Sequence, residues 1–238
     1  MRIKDKGERI KEERQTKGQN PRSLSLFIIP ISFPLYPSDM DNEKKHLRSL
    51  LLQQRRGFSS LEVNEKSQRI LAHLCSFQPF LAARTVVLYG AESDEVQTEA
   101  IWHEAVRLGQ AVYYPRITTD RADLEFVRRA PGVSLVPGTF HIPIPPGNDL
   151  ISGLQSTDVV LTPGVGFDKE GHRLGRGRGY YDRAFRGVLA GALRVALAFA
   201  FQIVPGIPTA AADERIHYVV TENGIHSCCE GTDDGTAS

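Results

Sequence analysis

Apolar and polar positions along this chain follow two periods, one helical and one extended, and their order sketches a fold. Across 42–56, Leu47, Leu50 and Leu51 recur at helical spacing among Lys44, Lys45, Arg48, Arg55 and Arg56, the pattern of a basic amphipathic helix. Ser59-Ser-Leu-Glu62 follows. It is a capping-box signature, in which hydroxyl and carboxylate serve reciprocal backbone donors, and it opens a second helix through Ile70, Leu71 and Leu74. The β-branched run 85–89, a helical pattern over 98–108 and a second apolar run over 111–114 read as strand, helix, strand. Further strands are predicted over 124–127, 159–161, 195–198 and 218–221, with a helix over 181–189 and a Pro/Gly-rich connection over 131–148. Alternating elements of this kind predict an α/β domain with helices on both faces of a sheet.

The pattern fails at both ends. Residues 1–19 are a solvated charge run and 24–36 a short apolar stretch broken by Pro30 and Pro34, too short to span a bilayer and without an Ala-x-Ala cleavage site. Residues 1–41 are therefore expected to be an extension outside the fold, with Met40 as the true start, residues 42–225 the domain and 226–238 a polar tail. A length of 238 residues, 41% of them hydrophobic, suits one full core, and a net charge of +1 excludes a generally basic nucleic-acid binder. Cys75, Cys228 and Cys229 have neither Cys-x-x-Cys spacing nor an even number, which argues against structural zinc and a secreted disulfide framework and for a reducing cytoplasm. The seven histidines lack metal-ligand spacing.

Candidate chemistry concentrates in one stretch. From Gly164 to Asp182, glycines stand where backbone amides can approach a ligand closely, just before a predicted helix, and Arg173, Arg176 and Arg178 add forked donors suited to phosphate or carboxylate. The segment is neither a Walker loop nor a dinucleotide fingerprint. It reads as an anion cradle, or alternatively as an Arg-Gly surface that binds RNA by charge and stacking. Asp182 falls in the first turn of the predicted helix, where the macrodipole favours a carboxylate, and a carboxylate beside a phosphate cradle is equally what Mg2+ requires. Glu95 lies just past the first strand, as ligand-binding residues of α/β sheets do, or else caps the next helix. Arg116 ends the second strand on the same edge, as an anion contact or an ordinary exposed arginine; Asp213 precedes the last strand and by itself is unremarkable.

Pro163-Gly-Val-Gly-Phe-Asp168 followed by Gly171-His-Arg-Leu-Gly-Arg-Gly-Arg-Gly-Tyr-Tyr-Asp182 resembles the signature of the 5-formyltetrahydrofolate cyclo-ligases, also called methenyltetrahydrofolate synthetases. The similarity extends through Lys44-Lys-His-Leu-Arg48, Glu95, Pro115-Arg116, Ile142-Pro-Ile-Pro145, Asp213 and Val219-Val-Thr-Glu222. The resemblance implies a three-layer, Rossmann-like α/β/α sandwich with two N-terminal helices, of the kind also found in sugar-phosphate isomerases and coenzyme A transferases. It implies an enzyme that uses ATP and Mg2+ to close 5-formyltetrahydrofolate to 5,10-methenyltetrahydrofolate through phosphorylation of the formyl oxygen. Carried over residue by residue, it assigns ATP to Lys44, Lys45, Arg48, Arg173, Leu174, Gly175, Arg176, Gly177, Arg178, Gly179, Tyr180 and Tyr181, with Arg176, Arg178 and Tyr180 as the catalytic members. It assigns folate to Gly90, Glu95, Arg116, Phe140 and Tyr180, and Mg2+ to Asp182 and Asp213. The expected partners are these small molecules, with no nucleic acid and no membrane, for a monomer in the cytoplasm. The alternative is a non-catalytic RNA-binding paralogue; an intact Glu95, Asp182 and first-helix Lys/Arg set argues against it.

Overall fold

The computed structural model describes residues 37–118 and 123–228. Residues 1–36, most of the expected extension, lie outside them, as does Cys229. Helices α1 (Pro37–Arg56), α2 (Ser60–Leu74) and α3 (Gln78–Ala82) lead into β1 (Thr85–Val87), α4 (Glu99–Arg107), β2 (Ala111–Ile117) and β3 (Leu124–Arg128). A ribbon of β4 (Val136–Pro137) and β5 (Pro143–Ile144) precedes β6 (Val159–Thr162), and a second ribbon of β7 (Gly166–Phe167) and β8 (Arg173–Leu174) precedes α5 (Tyr180–Arg186). The chain closes with β9 (Leu193–Leu197), β10 (Tyr218–Thr221) and β11 (Gly224–Ser227).

Seven strands form one sheet in the order β11-β10-β9-β6-β1-β2-β3. The five inner strands run parallel, and β3 and β11 pair antiparallel at the edges. Covered on both faces, the inner strands are mostly apolar, and all of β6 is buried. Because successive strand residues face opposite sides, Val86, Leu161 and Leu197 pack on Ile70, Leu74, Phe80, Ile101 and Trp102 of α2, α3 and α4, whereas Val87, Val160 and Ala196 pack on Phe185 of α5 and Leu189. Two cores, one on each face, make the three-layer α/β/α sandwich that the residue pattern and the resemblance predicted. Each large side chain so buried contributes about 1.5–3 kcal/mol.

The capping box is present as expected, with Ser59 Oγ accepting from the Glu62 N–H and the Glu62 carboxylate accepting from the Ser59 N–H. Other boundaries differ for identifiable reasons. Helix α1 starts at Pro37, five residues ahead of the expected Asn42. Strand β2 continues through Pro115 because its pairing with β1 ends at Tyr113; beyond that point no β1 partner misses the absent N–H. Helix α5 stops at Arg186, since Gly187 leaves helical conformation. The five residues of α3 and the two-residue strands of both ribbons are too short to show a period. Strand β11 carries the sheet through Ser227 and Cys228 is buried, past the domain boundary expected at residue 225.

Candidate active site

Parallel strands end together on one sheet edge, and strand order reverses between β1 and β6, the position where open α/β sheets bind ligands. A cleft of about 770 Å3 opens there. Tyr89 and Gly90 line it after β1, Arg116 from β2, and Pro163, Gly164 and Val165 after β6. Gly90 is required by close approach: a Cβ at that position would lie 2.2 Å from the Pro143 carbonyl oxygen of β5.

One wall is the glycine loop between β8 and α5, residues 175–179, held by α1. Lys44, Arg48, Leu51 and Arg55 stand at positions i, i+4, i+7 and i+11, so they share a helix face. Leu51 on that face packs against Val165, Leu174, Val204 and Ile207. This contact sets Arg48 Nε 2.8 Å from the Gly175 carbonyl and Lys44 Nζ 2.7 Å from Asp213 Oδ2. Lys45 is one position on, about 100° around the helix; it is exposed and outside the cleft lining. Gly177 and Gly179 have φ of +90° and +65°, left-handed conformations that open the loop toward the cleft. Arg178 lies over the ring of Phe140, 4.8 Å from its centroid, and Tyr180 begins α5 on the lining. Phe140 is itself at φ +57°, on the turn joining β4 to β5.

Opposite stands Glu95, 8% exposed. Its Oε1 accepts from Arg55 and Arg176 and its Oε2 from the Glu92 N–H. Burial pushes the carboxyl above the ordinary glutamate value, against the opposing pull of Arg55, the Glu92 N–H and Arg176. Arg176 also pairs with Glu92, so the glycine loop reaches across the cleft to the acidic wall. Glu95 does not cap α4: the N-cap is Thr98, which makes no side-chain cap. The Tyr181 hydroxyl is buried, and desolvation raises it well above the ordinary tyrosine value.

At the end of the cleft nearest α1, Asp182 accepts from Arg173 through both oxygens, at 3.1 and 3.2 Å, and from the Glu214 N–H at 3.4 Å. Asp213 adjoins Glu214 and accepts from Lys44 and the Ala210 N–H. Burial would raise its carboxyl, but the Lys44 and Ala210 hydrogen bonds outweigh burial and leave it below the ordinary aspartate value. The two carboxylates of Asp182 and Asp213 beside an arginine-lined cleft are a donor set that fits Mg2+, which takes one or two carboxylates and completes its shell with phosphates and water. Arg116 donates to Glu125, Asn148 and the Gly147 carbonyl and so braces the rim of the cleft that it lines. Asp168 and His172, within the long motif, fasten the turn from β7 to β8: the Asp168 carboxylate accepts from the backbone of Glu170, His172 and Ile207.

A sequence profile of the 5-formyltetrahydrofolate cyclo-ligase family matches residues 40–222. The chain belongs to that family. The 5-formyltetrahydrofolate cyclo-ligase of Mus musculus is 30% identical over 194 residues, 77% of this chain and 96% of the mouse protein. That of Mycolicibacterium smegmatis is 29% identical over 183 residues, covering 75% and 93%. The solution structure of Aquifex aeolicus 5,10-methenyltetrahydrofolate synthetase superposes with a TM-score of 0.67 at 28% identity, covering 79% of this chain and 94% of that one. The chain is thus an enzyme of the cyclo-ligase class, with the fold of its relatives. Among the described residues no helix is long and apolar enough to cross a membrane.

The fold brings all the sequence-derived candidates of this cyclo-ligase to one cleft except Lys45. Sequence reasoning missed Arg55 and Glu92. For Arg55 a signal existed, its position on the helix face of Lys44 and Arg48; for Glu92 none did. Arg173 on β8 and Arg176 in the loop are engaged by Asp182, Glu92 and Glu95 within the cleft, and Arg178 lies over Phe140.

Proposed function

We propose that this cyclo-ligase converts 5-formyltetrahydrofolate and ATP to 5,10-methenyltetrahydrofolate, ADP and phosphate, with Mg2+ bound. One observation carries the reading: a single cleft with an arginine-rich glycine loop on one wall and the buried carboxylate of Glu95 on the other. The first suits a triphosphate; the second suits the amidine edge of a pterin, which presents paired N–H donors. A formamide carbon is a poor electrophile because the nitrogen lone pair is shared with the carbonyl, and its oxygen is in addition a poor leaving group. In the proposed sequence that oxygen takes the γ-phosphoryl group as the β,γ-bridging P–O bond breaks and ADP departs. N10 then bonds to the formyl carbon and gives up its proton, and the C–O bond breaks with its electron pair leaving on phosphate.

The protein's share is positioning and charge neutralisation. Lys44, Arg48, Arg173 and the amides of residues 175–179 bind the phosphates, and Arg176 and Arg178 face the charge spread over the transferred phosphoryl group. Glu95 orients the pterin; Phe140 and Tyr180 supply apolar faces to the folate. Asp182 and Asp213 would hold Mg2+, which neutralises phosphate charge when bound. The test is the growth of methenyltetrahydrofolate absorbance from 5-formyltetrahydrofolate, with and without ATP and Mg2+. Product that needs both is the expected result, and no ATP-dependent product overturns the reading.

A further inference from the structure

A carboxylate taken out of water keeps its charge only where fixed partners replace the solvent. Two guanidinium groups reach Oε1 of Glu95, and they differ in kind. Arg176, 3.2 Å away on the glycine loop, is half exposed and shared with Glu92. Arg55, 3.3 Å away in the last turn of α1, is 3% exposed and places its second arm 3.1 Å from Asp94 Oδ1. Its Nε has no acceptor among the described residues, so the hydrogen bonding of Arg55 is directed at this acidic pair. Arg55 is also absent from the cleft lining, which includes Glu95, Glu92 and Arg176. It therefore touches Glu95 from behind.

We propose that Arg55 is a positioning residue for the pterin-binding carboxylate, holding the orientation and charge of Glu95 so that Arg176 can move to the phosphates without stranding a buried anion. This rests on the reading of the cleft given above. An amidine edge needs an open lone pair on each carboxylate oxygen. Oε2 keeps one beside the Glu92 N–H, but both lone pairs of Oε1 are taken while the two guanidinium groups are in place. Bidentate pairing with the pterin thus requires one guanidinium to withdraw. Arg176 can: it sits on an exposed loop, has Glu92 as a second acceptor, and belongs to the proposed phosphate wall. Arg55 is buried and tied to Asp94, so it stays.

The experiment compares wild type, Arg55→Met and Arg55→Lys by steady-state kinetics, with thermal unfolding as the check on folding. In Arg55→Met the KM for 5-formyltetrahydrofolate is expected to rise about 10- to 100-fold, the range of a lost charged hydrogen bond, with the KM for ATP unchanged and kcat falling less than KM rises. Arg55→Lys keeps the charge but has one point donor for two acceptors, and should recover part of the loss. In a Glu95→Gln background, where no carboxylate needs holding, Arg55→Met should add little to the folate dissociation constant. A folded Arg55→Met with the wild-type folate KM, or an undiminished effect in the Glu95→Gln background, overturns the proposal. If Arg55→Met does not fold, Arg55→Lys decides: a raised folate KM with the ATP KM unchanged upholds it, and a wild-type folate KM overturns it. A wild-type chain without ATP-dependent product removes the cleft reading and this inference together; an active wild type with indifferent Arg55 variants removes this inference alone.

Discussion

The charged side chains of the cleft neutralise one another in pairs: Arg173 with Asp182, Lys44 with Asp213, Arg176 with Glu92 and Glu95. Three of the proposed phosphate-binding cations, Lys44, Arg173 and Arg176, thus already lie against carboxylates proposed to hold Mg2+ or to orient the pterin, whereas Arg48 meets the Gly175 carbonyl and Arg178 the Phe140 ring. Removing a proposed Mg2+ carboxylate should therefore damage turnover more than folding. Asp182→Ala is expected to lower kcat on the order of 100-fold, with a folded far-UV spectrum and a response to Mg2+ shifted to higher concentration; near-wild-type rates across Mg2+ concentrations would return Asp182 to a helix-turn role. Away from the cleft, His217 accepts the Arg194 N–H at Nδ1, 3.0 Å, and so is held neutral. Burial, aided by the Arg194 charge, lowers its pKa below the ordinary value of 6.5. The unfolded chain takes up that proton first, so the contribution is complete above pH 6.5 and lost as pH falls through the depressed folded value. Between about pH 7 and pH 5.5, thermal stability should drop more for the wild type than for His217→Asn; equal slopes would refute this.

Among the elements, α1 does most to assemble the site. Its face carrying Lys44, Arg48, Leu51 and Arg55 touches Asp213, the glycine loop, the apolar cluster of Val165, Leu174, Val204 and Ile207, and the acidic wall. The turn joining β4 to β5 does the same from the opposite side, and its seat depends on Gly90. A Cβ there would meet backbone rather than a yielding side chain. Gly90→Ala is expected to cost about 1–3 kcal/mol and to displace the turn that carries Phe140, raising the folate KM more than the ATP KM. Chemical denaturation and two-substrate kinetics check both parts, and an unchanged folate KM would detach this turn from the site. Legibility followed element length. The capping box of Ser59 and Glu62 with Ile70, Leu71 and Leu74 at helical spacing announced α2, and the apolar run of Val159, Val160 and Leu161 announced β6. The five residues of α3 and the two-residue ribbons showed nothing, because a period needs at least a full repeat to be seen.

At the scale of the whole molecule, the cleft is bounded by α1, the β1 and β6 ends, the β4–β5 turn and the loop before α5, parts drawn from most of the described chain. A ligand that fills it ties them together and stabilises only the folded form. With Mg2+ and an ATP analogue at about 100 times its dissociation constant, stability should rise about 2.7 kcal/mol, which moves the unfolding midpoint up by roughly 5–10 °C in a domain of this size. Differential scanning fluorimetry reads this directly, and no shift at saturating analogue would mean that the cleft is not the nucleotide site. The sequence by itself determined what is local: strands as β-branched apolar runs, helices by period and cap, the glycines and arginines of the 164–182 motif, and through that motif the family. Only the tertiary structure decided which charges meet. Lys44 and Asp213 are 169 positions apart, Arg176 and Glu95 81, Arg55 and Glu95 40. No periodicity links such positions; the strand order and the packing of Leu51 do, and they are also what turns Arg55 onto Glu95 from behind the cleft and leaves Lys45 in solvent.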